Sequence, residues 1–110
     1  MNTRLQVEHP VSECINGIDL VKLQIAVAED QIKPWEKMGN FSTTKGHAIE
    51  VRVYAEDPDN NFMPTTGKII SLKKSNLKNV RYDFTFNEGD EITVNYDPMI
   101  GKVICYGETR

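Results

Sequence analysis

The sequence predicts an α+β fold, in which a short strand, a loop and a helix precede a small, mostly antiparallel β unit. Polar residues occupy every second position over 2–8, apolar residues recur at helical spacing over 19–30, and alternation returns from residue 47 onward. With 110 residues in total, the chain has one domain's worth of sequence and enough apolar surface for a modest core.

The N-terminal segment 1–10 carries the strongest chemical signal. If it is extended, the alternation places Leu5 and Val7 on one face, where they can anchor the segment in a core. The opposite face then carries Asn2, Arg4, Gln6 and Glu8. Such a row can hold a small planar anion and move a proton on it, because Arg offers a fork of donors and Glu a base. The solvated face of an ordinary edge strand shows the same alternation, so both interpretations stay open.

A helix follows this segment. Residues 10–17 are typical of a short turn or a single helical turn, and Asp19 opens a helix that runs to about Asp30. Apolar residues form two stripes along it, so we expect burial on two sides, with other protein covering part of it. Residues 31–45 contain Pro, Gly and a Ser-Thr-Thr run and predict a loop, which divides the chain into 1–43 and 44–110.

The second half predicts a β unit of about five strands. The first has an inward face of His47, Ile49, Val51, Val53 and Ala55, and an opposite face of Glu50, Arg52, Tyr54 and Glu56. Short strands are predicted over 68–74, 80–86, 91–95 and 102–106, separated by turns at 87–90 and 97–98. Cys105 falls in the last apolar run and is expected to be a buried thiol. From spacing alone, Arg52 is expected to pair with Glu50 or Glu56 on a solvated face.

Composition excludes several partner classes. The net charge of −3, from 13 basic and 16 acidic residues, argues against a nucleic-acid surface. No apolar stretch is long enough to span a bilayer, so no membrane partner is expected. The two cysteines lack metal-site spacing, and nothing in their use indicates an oxidising compartment.

Four segments resemble one known family, in that family's order. They are MNTRLQVEHP (1–10), GHAIEVRVYAEDP (46–58), FMPTTGKI (62–69) and YDPMIGKVICY (96–106). Together they resemble the biotin carboxylases, the ATP-grasp subunits or domains of biotin-dependent acyl-CoA and pyruvate carboxylases, over nearly the whole chain. The resemblance implies that 1–43 ends an ATP-grasp domain. It also implies that 44–110 is the truncated, β-rich part of a barrel-sandwich-like C-terminal domain.

The resemblance also implies a reaction, in which bicarbonate is activated by ATP and its carboxyl group passes to biotin on a carrier protein. Mg²⁺ (or Mn²⁺) is the implied metal. By the family pattern, Arg4 fixes bicarbonate with Gln6 and the backbone of Val7. Glu8 then removes the bicarbonate proton, and Asn2 contributes to the metal site. Arg52 stabilises the enolate that forms as biotin loses its ureido proton.

The implied partners are a biotin carboxyl carrier protein or domain, a carboxyltransferase subunit and a second copy of the enzyme. The implied location is the cytoplasm, or the mitochondrial matrix in a eukaryote. Because the family's phosphate-binding loop lies upstream of Met1, the 110 residues alone are expected to be inactive. Two alternatives remain: a non-catalytic interaction or dimerisation module of the same family, and another ATP-grasp ligase such as a carbamoyl-phosphate synthetase half.

Overall fold

The computed structural model describes residues 1–31 and 44–110. Within them the chain forms two α-helices, α1 (His9–Asn16) and α2 (Leu20–Ala28), followed by short strands. The strands are β1 (His47–Tyr54), β2 (Glu56–Asp57), β3 (Met63–Pro64), β4 (Gly67–Lys68), β5 (Val80–Phe84), β6 (Glu91–Ile92) and β7 (Met99–Gly107). The pairs β2–β3, β4–β6 and β5–β7 are antiparallel, which confirms the predicted α+β class. Most of the predicted loop, and the boundary after residue 43, lie outside the described residues.

The chain divides into two compact units. The first combines residues 1–49 with 106–110, and the second comprises residues 50–105. The first unit contains both helices, and its most buried residues include Pro10 and Glu13. The second unit contains most of the strands, and Ile104 and Ile92 form its buried apolar centre, with 1% and 8% exposure.

The predicted strand over residues 1–8 is wrong: none of these residues, all of which the structure describes, is in a strand. The chain turns at Val7 and Glu8 and enters α1, as the backbone N–H of His9 donates to the Gln6 carbonyl at 3.2 Å. A strand is stabilised by a neighbouring strand, and the described strands pair with one another instead. The predicted short turn at 10–17 is a full helix of eight residues, closed by Gly17 in the left-handed conformation at φ +65°.

Helix α2 begins where the sequence predicts. The Asp19 side chain caps it, accepting a hydrogen bond from the backbone N–H of Lys22 at 2.8 Å. The expected burial on two sides is not found in the part of the chain that the structure describes. None of the residues of α2, all of which are described, is buried, and Val21 and Ile25 are 42% and 54% exposed.

Strand β7 is the centre of a sheet with the order β1–β7–β5. Gly101 lies opposite Phe84 in the β5–β7 register, where an added Cβ would lie 2.7 Å from the Asp83 carbonyl oxygen and from a Phe84 ring atom. Glycine is therefore required for the two strands to approach. Because side chains alternate along β7, Ile104 is buried and Cys105 is exposed, so the prediction of a buried Cys105 thiol is wrong.

The predicted inward face of β1 is also wrong at its centre. Ile49 and Val51 are 57% and 54% exposed, and His47 is exposed too. The carboxylate oxygens of Glu50, on the opposite face, are shielded from solvent. The period of two was correct, but which face is covered depends on what packs against the strand, and alternation carries no information about that.

Strands β4, β5 and β6 are shorter than predicted, whereas β7 is longer than the predicted strand over 102–106. The expected strand over 68–74 is reduced to β4, which pairs with β6 through Gly67 and Ile92. Residues 58–60 form a 3₁₀ turn between β2 and β3. Within the two described ranges, neither helix has the length and apolar character needed to cross a membrane.

Candidate functional site

Three of the predicted site residues lie together at the N-terminus. Arg4, Gln6 and Glu8 line an open depression of about 450 Å³. Its other walls are Leu5, His9, Val11, Ser12 and Leu20. The three polar side chains are all exposed, so a solute can reach them. The predicted grouping of guanidinium, amide and carboxylate is therefore present, although the segment is not a strand.

Backbone hydrogen bonds fix the segment against α1. The Gln6 carbonyl lies 2.8 Å from His9 Nδ1 and also accepts the His9 backbone N–H at 3.2 Å. The Glu8 carbonyl accepts the backbone N–H of Val11 at 3.1 Å. Pro10, in the first turn of α1, fixes its own φ and suits a position whose N–H would have no helical partner. These hydrogen bonds therefore fix the backbone from which the side chains of Gln6 and Glu8 project.

Arg4 provides the positive charge of the depression. Its Nη1 donates to the neighbouring Leu5 carbonyl at 3.3 Å, which uses one of its five N–H donors. A guanidinium with donors facing solvent can bind a carboxylate-like anion through two parallel hydrogen bonds. The exposed carboxylate of Glu8, which lines the same depression, can accept a proton from such an anion.

A buried carboxylate that the sequence did not single out holds Leu20, one of the residues that line the depression. Glu13, only 7% exposed, accepts the backbone N–H of Leu20 on its Oε1 at 2.8 Å. Leu20 is the first residue of α2 and lines the depression, so this hydrogen bond helps to fix the position of Leu20 in the lining. The spacing of residues in the sequence could not reveal this hydrogen bond, because its donor is a backbone group seven residues after Glu13.

The other two predicted residues of the N-terminal segment, Asn2 and Val7, are not among those that line the depression. Asn2 is exposed, and its amide oxygen is the kind of hard ligand that Mg²⁺ takes. Among residues 1–31 and 44–110, no cluster of three His, Cys, Asp or Glu residues suited to a metal ion is found. The Asn2 amide can supply one such oxygen, and a bound Mg²⁺ would take its other ligands from phosphate oxygens, water or further residues. Val7 lies half-buried in the turn.

Arg52 lies on β1, in the second compact unit, and its side chain is exposed. Its Nη1 donates a hydrogen bond to the hydroxyl of Tyr54 at 3.1 Å. The sequence analysis did not identify Tyr54 as a functional residue. The sequence did contain a signal for it, because Tyr54 lies two positions after Arg52 on a strand and therefore shares its face.

Two domain families match the sequence of this chain. The sequence model of the biotin carboxylase C-terminal domain matches residues 50–110, and that of the ATP-binding domain of the carbamoyl-phosphate synthase L chain matches residues 1–33. The mitochondrial methylcrotonoyl-CoA carboxylase subunit alpha of Mus musculus is 45% identical across the whole chain. A biotin carboxylase of Halalkalibacterium halodurans is 44% identical, again across the whole chain.

Solved structures match over almost the full length. The biotin carboxylase domain of Hydrogenobacter thermophilus 2-oxoglutarate carboxylase, solved with MgADP and bicarbonate, superposes with a TM-score of 0.88 at 37% identity. The match covers 98% of this chain and 23% of that one. The biotin carboxylase subunit of a pyruvate carboxylase gives a TM-score of 0.85 at 41% identity, covering 98% and 24%.

The chain spans only a fraction of its relatives, 15% of the mouse subunit and 24% of the bacterial enzyme. Within that span, the family model of the C-terminal domain covers more than half of the 110 residues. The N-terminal depression and the β-rich unit therefore belong to a member of the biotin carboxylase family.

Proposed function

We propose that the full-length protein containing this segment carboxylates biotin, using ATP and bicarbonate, as the first half-reaction of a biotin-dependent carboxylase. The observation that carries the proposal is the gathering of Arg4, Gln6 and Glu8 around one open depression. The bicarbonate and MgADP bound by the Hydrogenobacter relative support the same substrate class.

In this proposal the N-terminal depression is the bicarbonate site. Arg4 binds two bicarbonate oxygens through its fork of N–H donors, and Gln6 and the backbone of Val7 help to orient the anion. Glu8 removes the proton, which leaves a more nucleophilic dianion to attack the γ-phosphate of ATP; the bond to the bridging oxygen breaks, ADP leaves and carboxyphosphate forms. Holding base and anion on one short turn favours the reaction by removing their relative freedom of movement.

Arg52 acts in the second step. As biotin loses its ureido proton, negative charge develops on the ureido oxygen, and a fixed guanidinium stabilises that charge. Asn2 would supply one oxygen ligand to Mg²⁺, which when bound neutralises charge on the ATP phosphates.

The proposed partners follow from the reaction. Biotin reaches the site on a carrier protein or domain, and a carboxyltransferase uses the carboxybiotin. The relatives include alpha subunits of methylcrotonoyl-CoA and propionyl-CoA carboxylases, which supports a place in such a complex. A homodimer of the whole enzyme is also proposed, in line with the dimeric Hydrogenobacter domain.

The test measures ADP release from MgATP and bicarbonate, with and without free biotin, using the full-length protein. We expect biotin to stimulate turnover, and Glu8→Gln to abolish it because the amide cannot act as the base. Glu108→Gln, the same change at an exposed carboxylate of the same compact unit, is the control and should retain turnover. A folded full-length protein that biotin does not stimulate would instead favour the non-catalytic module.

A further inference from the structure

Tyr54 follows Arg52 by two residues on β1, so the alternation of the strand places both side chains on one face. The separation of 3.1 Å between Arg52 Nη1 and the Tyr54 hydroxyl oxygen lies within the range of N–H···O hydrogen bonds. Because the donor is charged, this bond is stronger than one between neutral groups. The contact ties a cationic side chain to its neighbour on the same strand.

The two side chains differ in freedom of movement. Arg52 is exposed, and a long guanidinium side chain samples many rotamers in water. Tyr54 is half-buried and has only two side-chain torsions, so its hydroxyl occupies a narrower range of positions. The hydroxyl therefore provides a well-placed acceptor for one end of the Arg52 guanidinium.

We propose that Tyr54 is a positioning residue, whose hydroxyl holds the Arg52 guanidinium in the orientation that meets the charge developing on the biotin ureido oxygen. This inference rests on the role of Arg52 in the proposed function. A donor already held in place stabilises developing charge more effectively than one that must first be ordered. Tyr54 acts through Arg52 and makes no contact with the reacting atoms.

The first experiment compares two partial reactions of Tyr54→Phe in the full-length protein. Loss of the hydroxyl should lower biotin-dependent ADP release at subsaturating biotin by about 10-fold, which is the low end of the worth of a hydrogen bond to a charged group. The slow, bicarbonate-dependent ATP cleavage without biotin should not change. A merely structural role would lower both reactions together, and that result would overturn the proposal.

Tyr82→Phe is the matched control. It removes the same atom from the same compact unit, where the Tyr82 hydroxyl accepts the backbone N–H of Ser75 at 3.1 Å. We expect the ratio of the two partial reactions to stay at the wild-type value in this variant. If Tyr82→Phe shifted the ratio as much as Tyr54→Phe, the effect would not be specific to Arg52 and the proposal would fail.

A double-variant cycle separates this inference from the proposed function. In an Arg52→Ala background, Tyr54→Phe should cause no further loss, because the group that it positions is gone. A further loss there would overturn the positioning role while leaving the proposed function intact. If Arg52→Ala itself left biotin-dependent turnover unchanged, both the role of Arg52 and the inference built on it would be wrong.

Discussion

The carboxylate of Glu13 joins the two helices, since its Oε1 accepts the backbone N–H of Leu20 at 2.8 Å. The same residue shapes the end of α1, where its backbone carbonyl accepts the N–H groups of Gly17 at 2.8 Å and Ile18 at 3.3 Å. One buried residue thus fixes both the exit from α1 and the entry to α2. Leu20, held at this corner, is one of the residues that line the depression with Arg4 and Glu8.

We therefore expect Glu13→Ala to destabilise the full-length protein by about 1–3 kcal/mol, because it leaves the Leu20 N–H without its partner. Glu13→Gln should cost less, since the amide oxygen can still accept that hydrogen bond. Urea unfolding of the two variants measures the difference. Equal losses would mean that the charge of Glu13, rather than its acceptor oxygen, matters at this corner.

Arg4→Lys should raise the KM for bicarbonate by about 10- to 100-fold, because a lysine keeps the charge but loses the paired donors. The KM for biotin should change little. Steady-state ADP release at varied bicarbonate gives the value. A KM for bicarbonate that stays at the wild-type level would remove Arg4 from the proposed anion site.

Arg52→Ala should lower biotin carboxylation by about 100- to 1,000-fold, a loss typical of removing one group that stabilises developing charge. Bicarbonate-dependent ATP cleavage without biotin should remain close to wild type. The comparison is made by measuring both partial reactions on the same preparation. Losses of the same size in both would contradict the proposed role.

Arg81→Ala is the control for that variant. It also removes a guanidinium from the second unit, but the guanidinium of Arg81 is engaged by Asp83, through Nε to Oδ1 and Nη2 to Oδ2, both at 2.8 Å. We expect the ratio of the partial reactions to be unaffected by this change.

Two glycines allow a test of close packing. Gly46 and Gly17 have nearly the same backbone conformation, with φ of +66° and +65°. An added Cβ at Gly46 would lie 2.5 Å from the Gly107 carbonyl oxygen and 2.7 Å from the Tyr106 hydroxyl, whereas at Gly17 nothing lies within 4 Å. Both substitutions carry the strain of the left-handed region, but only the first adds a steric clash.

Gly46→Ala should therefore destabilise the protein by about 2–5 kcal/mol, and Gly17→Ala by about 1–2 kcal/mol. Chemical unfolding of the two variants under the same conditions gives both values. The difference between them isolates the packing of Gly46 against Tyr106 and Gly107. If the two variants were equally stable, that packing would contribute nothing.

The sequence predicted the secondary-structure elements that depend mainly on residues close together in the chain. The start of α2 depends on one capping residue, Asp19, and β5 begins at Val80 as its apolar pattern predicts. The proposed site residues Arg4, Gln6 and Glu8 were found because each has a side chain suited to one chemical task, and their clustering survives the change from strand to turn.

The features that the sequence did not reveal depend on partners distant in the chain or on covering layers. Whether Ile49 or Glu50 is shielded is decided by what packs on β1, and whether residues 1–8 form a strand is decided by a neighbouring strand. The partner of the Glu13 carboxylate is a backbone N–H, a donor that every residue except proline carries, so the sequence does not show which one it binds. The roles of Arg4, Glu8 and Arg52 remain predictions until the variants are measured.

Strand β1 stands at the end of the β1–β7–β5 order and presents Ile49 and Val51 to solvent. An edge strand with exposed β-branched side chains is a template for pairing with strands of other molecules. Production of this segment apart from the rest of its protein would therefore favour aggregation. Changing Val51 to lysine, on the face opposite Arg52, would place a charge on that edge and oppose the association.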